Sequence, residues 1–210
     1  MLPTKSTPMI TDEYYTIQDE QEFEIKVKGS SFIGRASPIE SREQAEHFLS
    51  AIQKKLFDAT HHCYAYRAGH GPNSVFRYHD DGEPSGTAGK PIYQVITGRN
   101  LTNLIVVVTR YFGGTKLGTG GLARAYADCA ISVLDRCTVQ TCIIYKTIRV
   151  QFPYDQTSTI MRLIDLFEAK ITDIRYDTAT EMVLAVRANE SGRFCSQLID
   201  LTRGKAVVEN

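Results

Sequence analysis

Two glycine-rich stretches carry the residues best suited to chemistry in this 210-residue chain. The first runs Asp80-Asp81-Gly82-Glu83-Pro84-Ser85-Gly86-Thr87-Ala88-Gly89-Lys90-Pro91, and the second runs Arg110-Tyr111-Phe112-Gly113-Gly114-Thr115-Lys116-Leu117-Gly118-Thr119-Gly120-Gly121-Leu122. Together they hold eight of the fifteen glycines, and each leads into a helix-like segment. Glycine lets backbone N–H groups turn toward a common point, and the free N–H groups at a helix start carry partial positive charge. Lys90, Arg110, Lys116 and Arg124 add full charges beside them. The pattern points to phosphate or RNA binding, with the backbone of Gly113, Gly114, Gly118, Gly120 and Gly121 shaping the pocket. The competing expectation is that these glycines only turn the chain at crowded corners. Tyr64, Tyr66 and Tyr111 are candidates for stacking on bases if their strand faces are exposed, and for core packing if they are not.

Other chemistries fit less well. Lys90 follows a loop that resembles a phosphate-binding Walker loop, but Pro84 replaces its first glycine and Pro91 its magnesium-binding hydroxyl. Gly118-Thr119-Gly120-Gly121-Leu122-Ala123 fits the dinucleotide pattern, yet it lies far beyond the end of the preceding strand and no acidic residue follows at a second strand end. His61-His62-Cys63 on a strand would send His62 to the face opposite the other two, so at most two ligands converge on a metal. Asp80, Asp81 and Glu83 either hold a magnesium ion bridging to a phosphate or initiate the turn and favour the positive helix end. No GxSxG elbow or clear general base is present, so no catalytic residue and no cofactor are assigned.

Composition sets the bounds. With 42% hydrophobic residues the chain can bury a real core, and its length suits one large or two small domains. Lys and Arg number 24 against 24 Asp and Glu, which excludes a strongly basic nucleic-acid coat. Residues 59–130 nevertheless carry seven basic against four acidic side chains, with four histidines besides, so a local phosphate or RNA footprint fits where the glycines cluster. Met1–Met9 contains no apolar segment of signal-peptide type, and Leu104-Ile105-Val106-Val107-Val108 is too short to cross a bilayer, so a cytoplasmic protein with no membrane partner is expected. Five cysteines without a CxxC pair suit reduced thiols.

The elements that must position these residues follow from periodicity. Phe23, Ile25 and Val27 alternate with charged residues, Gly29-Ser30 turns the chain, and a second strand follows around 32–36. Ser41 with Gln44 is a capping-box pattern opening a helix whose apolar face carries Ala45, Phe48, Leu49, Ile52 and Leu56. Strands at 62–68 and 75–78, a helix at 91–97, a buried strand at 104–111 and a helix at 122–136 complete a first domain, residues 1–140. Residues 141–210 read as strand, helix, strand, strand, helix, strand, at 145–152, 156–167, 170–176, 181–188, 192–202 and 205–208. This is the ferredoxin-like βαββαβ order, with Asp155 and Ser191 placed as N-caps and Gly204 as a C-terminal glycine. The fold class is therefore α+β in two domains.

His61-His62-Cys63-Tyr64-Ala65-Tyr66, then Asp80 to Ile92 (DDGEPSGTAGKPI), then Arg110 to Tyr126 (RYFGGTKLGTGGLARAY), resemble the signature of the IMPACT family, formerly an uncharacterised protein family. The resemblance spans the first domain; the second is similar to the small C-terminal domain of bacterial members. It implies a first domain similar to the second domain of ribosomal protein S-five and a second similar to an end domain of elongation factor G. Eukaryotic relatives act as translational regulators, though with a different accessory domain. The resulting expectation is a non-enzymatic regulator of translation that binds RNA, or a ribosome- or translation-associated protein, through a phosphate or nucleotide site. The alternatives are a nucleotide-dependent phosphotransferase or phosphohydrolase, and a pure protein-interaction module.

Overall fold

The computed structural model describes residues 12–71 and 74–209; Met1–Met9, read above for a signal segment, lies outside them. The chain divides into two compact units, Tyr14–Cys142 and a second formed by Ile143 onward together with Asp12 and Glu13. The sequence reading placed the division at residue 140 and put residues 12 and 13 in the first domain. They join the second because the Asp12 carbonyl accepts the Ile144 N–H and Arg187 pairs with both Asp12 and Glu13.

In the first unit the elements are β1 (Glu13–Ile17), β2 (Gln21–Val27), β3 (Ser30–Pro38), α1 (Arg42–Lys55), β4 (His61–Ala68), β5 (Val75–His79), α2 (Gly89–Gly98), β6 (Leu104–Tyr111), α3 (Gly118–Leu134) and β7 (Val139–Ile143), with the outermost residue of β1 and of β7 falling across the division. An antiparallel sheet of order β2-β3-β6-β4-β5 forms the middle layer. The continuous aliphatic run of β6 takes the central position because both of its faces are covered. Val106 and Val108 pack with Ile92, Ile96, Leu122 and Tyr126 of α2 and α3, while Ile105 and Val107 pack with Ala45 and Ile52 of α1. Ser41 caps α1 by accepting the Gln44 N–H at 3.3 Å, as its pattern predicts, while Gln44 reaches back to accept the N–H of Glu40 at 2.7 Å, one residue before the cap that a full capping box would bond. A small sheet of β1 with β7 was not anticipated, since neither five-residue segment carries a strong alternating pattern of its own.

The second unit comprises β8 (Tyr145–Phe152), α4 (Thr157–Leu166), β9 (Lys170–Tyr176), β10 (Thr180–Arg187), α5 (Ser191–Leu201) and β11 (Val207–Glu209). Its sheet order, β11-β8-β10-β9, is the ferredoxin-like one. Ile148, Val150, Leu184 and Val186 from the sheet bury against Ile160, Leu163, Phe194 and Leu198 from the helices. Neither expected N-cap serves as one. Asp155 lies in a short 3-10 turn and accepts Lys205 Nζ at 2.9 Å, whereas Ser191 is already helical and donates to the Ala188 carbonyl at 2.8 Å. Gly204 takes φ +75 and returns its N–H to the Ile199 carbonyl, closing α5 as its position suggested. Among the described residues no helix is long and apolar enough to cross a membrane.

Candidate functional site

The two helix starts that follow the glycine stretches have opposite fates. At α2 the anion position is filled by the chain itself: Asp80 accepts the N–H groups of Gly86 at 2.8 Å, Ala88 at 3.0 Å and Gly89 at 2.8 Å. A fixed carboxylate there neutralises the helix end and leaves no room for an external phosphate. Asp81, in the left-handed region at φ +46, accepts the His62 N–H at 2.7 Å with its carboxylate, and its carbonyl lies 2.7 Å from His61 Nδ1. Asp80 is thus engaged at the start of α2 and one oxygen of Asp81 at the start of β4, so the geometry lends the magnesium alternative no support. Lys90 is exposed on α2 and stands apart from the cavity described below.

Arg110 also differs from its expected role. Instead of reaching solvent from a strand end it is buried, with 5% of its surface exposed, and its Nη1 donates to Glu83 Oε1 at 2.6 Å. Tyr126 donates to the same oxygen at 2.8 Å, and His61 Nε2 lies 3.9 Å from it. The guanidinium sits between the rings of Phe32 and Phe112, 5.4 and 5.5 Å from their centres. Two opposite charges thus hold each other beneath the second glycine loop, an arrangement that sequence distance alone could not disclose. Burial raises the Tyr126 hydroxyl far above its usual range, helped by Cys63 and Glu83 nearby, so Tyr126 remains a donor. Burial likewise raises the Cys63 thiol, which donates to the Asp80 carbonyl at 2.9 Å; it is a structural thiol, not a nucleophile.

Both glycine stretches nonetheless meet at one cavity of about 300 Å³. Buried Glu83 and Arg110 form its floor, Pro84, Leu117 and Leu122 its apolar walls, and exposed Phe112, Lys116, Gly118 and Thr119 its rim. Helix α3 begins here, four residues before the Leu122 start expected from the sequence, and its first turn has neither a capping side chain nor an acidic residue. Its leading amides therefore keep the partial positive charge that α2 has lost to Asp80. Within the guanidinium, Arg110 Nε is buried and has no partner among the described residues.

The remaining candidates separate by geometry. Gly113 is needed for packing: a Cβ there would come within 2.0 Å of the Gly29 carbonyl oxygen, where the loop crosses the β2–β3 turn. Gly114 and Gly118, at φ +85 and +73, shape the loop into α3, and Gly120 and Gly121 lie in its first turn. Arg124 is exposed farther along α3 and does not line the cavity. Tyr64 and Tyr66 follow the core-packing alternative: the strand period sends both to the face that α1 covers, where they are 8% and 3% exposed. Tyr111 is half-buried and donates to Asp58 at 2.9 Å. The aromatic ring at the cavity is instead Phe112; Tyr126 is a site residue that sequence reasoning passed over, and Glu83, weighed there only for magnesium, is the counter-ion of Arg110. Their one signal was placement inside the signature strings.

These strings define a family. The model of the Impact N-terminal domain matches residues 28–134, and that of a domain of unknown function, DUF1949, matches residues 150–205. IMPACT family member YvyE of Bacillus subtilis (strain 168) is 33% identical over 93% of this chain and 90% of its own length. The chain belongs to the IMPACT family. IMPACT family member YigZ of Escherichia coli (strain K12) is 33% identical over 85% of this chain and 88% of its own. A crystal structure of a hypothetical protein superposes with a TM-score of 0.68 at 30% identity, covering 95% of this chain and 97% of that one. Protein IMPACT of Mus musculus is 34% identical over 50% of this chain and 33% of its own length, so the likeness to that eukaryotic member of the IMPACT family covers only part of each protein.

Proposed function

We propose that this IMPACT-family protein is a non-catalytic regulator of translation whose first unit binds RNA through a phosphate at the start of α3. The regulatory role is carried over from the family resemblance. The binding mode rests on one observation, the cavity where an uncapped seventeen-residue helix, Lys116 and the buried Arg110–Glu83 pair come together. The phosphotransferase alternative is weakened because Asp80 and Asp81 are engaged with backbone N–H groups and Cys63 is held as a buried thiol.

Titration with inorganic phosphate, followed by amide chemical shifts, tests the site directly. Gly118, Thr119 and Gly120 are expected to move in a saturable way, while Gly86, Ala88 and Gly89, already bonded to Asp80, stay in place. Unmoved α3 amides at high phosphate, or equal movement at both helix starts, would sink the assignment.

A further inference from the structure

The cavity at α3 has a composition more specific than phosphate alone requires. We infer that it takes a single nucleotide unit, with its phosphate on the first amides of α3 beside Lys116 and its base against Phe112. This rests on the phosphate reading above and goes further by naming what the phosphate is attached to.

Charge sets the number of phosphates. The positive charge of Arg110 is cancelled by Glu83 at 2.6 Å, so Lys116 and the roughly half-charge of the helix start remain to meet a ligand. Together they balance one phosphate group, which as a monoester carries about −1.5 to −2. A triphosphate would bring excess negative charge onto a floor that already contains a carboxylate. Arg110 lines this floor, and its buried Nε–H has no partner among the described residues, a costly arrangement.

Shape and polarity set the rest. Pro84, Leu117 and Leu122 offer apolar walls that inorganic phosphate would not need. Phe112 is 49% exposed at the rim although it follows directly on a buried strand, and its ring is held by the guanidinium beneath it. A ring fixed in this way is a stacking platform for a planar base. About 300 Å³ lies at the small end of ligand cavities, a size for one nucleotide with its neighbours left outside.

Calorimetric titration of the full chain at low salt, with adenosine 5′-monophosphate, ribose 5-phosphate and benzoate, tests the inference. The mononucleotide should bind at least about tenfold more tightly than ribose 5-phosphate, as one stacked base contributes. Phe112→Ala should erase that difference while leaving ribose 5-phosphate unchanged, and Phe112→Tyr should keep it, which separates stacking from misfolding. Lys116→Ala should weaken both phosphates severalfold. If the two phosphates bind equally, or benzoate matches the mononucleotide, the nucleotide inference falls while a general anion site stands. If a labelled single-stranded RNA binds and adenosine 5′-monophosphate fails to displace it, the inference also falls and the RNA reading survives. If no phosphate-bearing probe binds, both fall together.

Discussion

At the scale of single residues, Arg110 carries the largest departure from what its sequence setting suggests. Between a buried strand and a glycine loop it reads as a cation for phosphate; in the fold it is an internal counter-ion, and its Glu83 partner is equally buried. Removing either member leaves the other charge unpaired in the interior, which costs about 3–5 kcal/mol. Arg110→Ala and Glu83→Ala are each expected to lower unfolding stability by about that much in urea titrations. The double variant should lose clearly less than the two losses added together, because it strands no charge. An Arg110→Ala protein of unchanged stability would mean that the pair contributes nothing. Arg110 is accordingly a poor probe of binding, whereas exposed Lys116 is a clean one.

At the scale of elements, the start of β4 carries one side chain, His62, whose burial makes it answer to pH. His62 is buried between strands, with Nδ1 3.1 Å from Thr109 Oγ1 on β6. Its pKa is lowered from 6.5, first by burial and then by His61 and Arg35, against an opposing pull from Asp81. The unfolded chain therefore binds a proton more readily than the folded one. Stability from this residue is full above about pH 6.5 and is lost as pH falls through the lower folded-state value. The melting temperature should drop from pH 7.5 to pH 5.5, and His62→Gln should flatten that drop; an equal drop in the variant would assign the effect elsewhere. The same element scale explains the glycines. Most of the strands and helices were legible from period-two and period-3.6 patterns, but α2 and α3 start earlier than expected because Gly89 and Gly118 enter the helices themselves. Which helix start stays open to an anion was not legible, since Asp80 precedes the α2 glycines by several residues and reaches their N–H groups only once the loop has folded.

For the whole molecule, balanced charge limits how strongly RNA can be held. With Arg110 neutralised by Glu83, the first unit has fewer free cations at the cavity than a count over the sequence suggests. Binding should engage roughly one or two phosphates, giving a log–log salt slope of about −0.7 to −1.4 for single strands. Fluorescence anisotropy across a salt series measures it, and Lys116→Ala should remove about 0.7 of the slope. A slope near −3 would require a broader basic surface than this site supplies.

The sequence by itself determined the α+β class, the ferredoxin-like order of the second unit and the family, because these depend on local periodicity and on long unbroken strings of residues. Tertiary structure alone decided that Asp80 closes one helix start while the other stays open, that Tyr64 and Tyr66 face a helix and Phe112 faces a cavity, and that Arg110 is paired. Each of these turns on which distant residues meet once the sheet is layered. Burial and charge pairing are properties of that assembled contact, and spacing along the chain does not encode them.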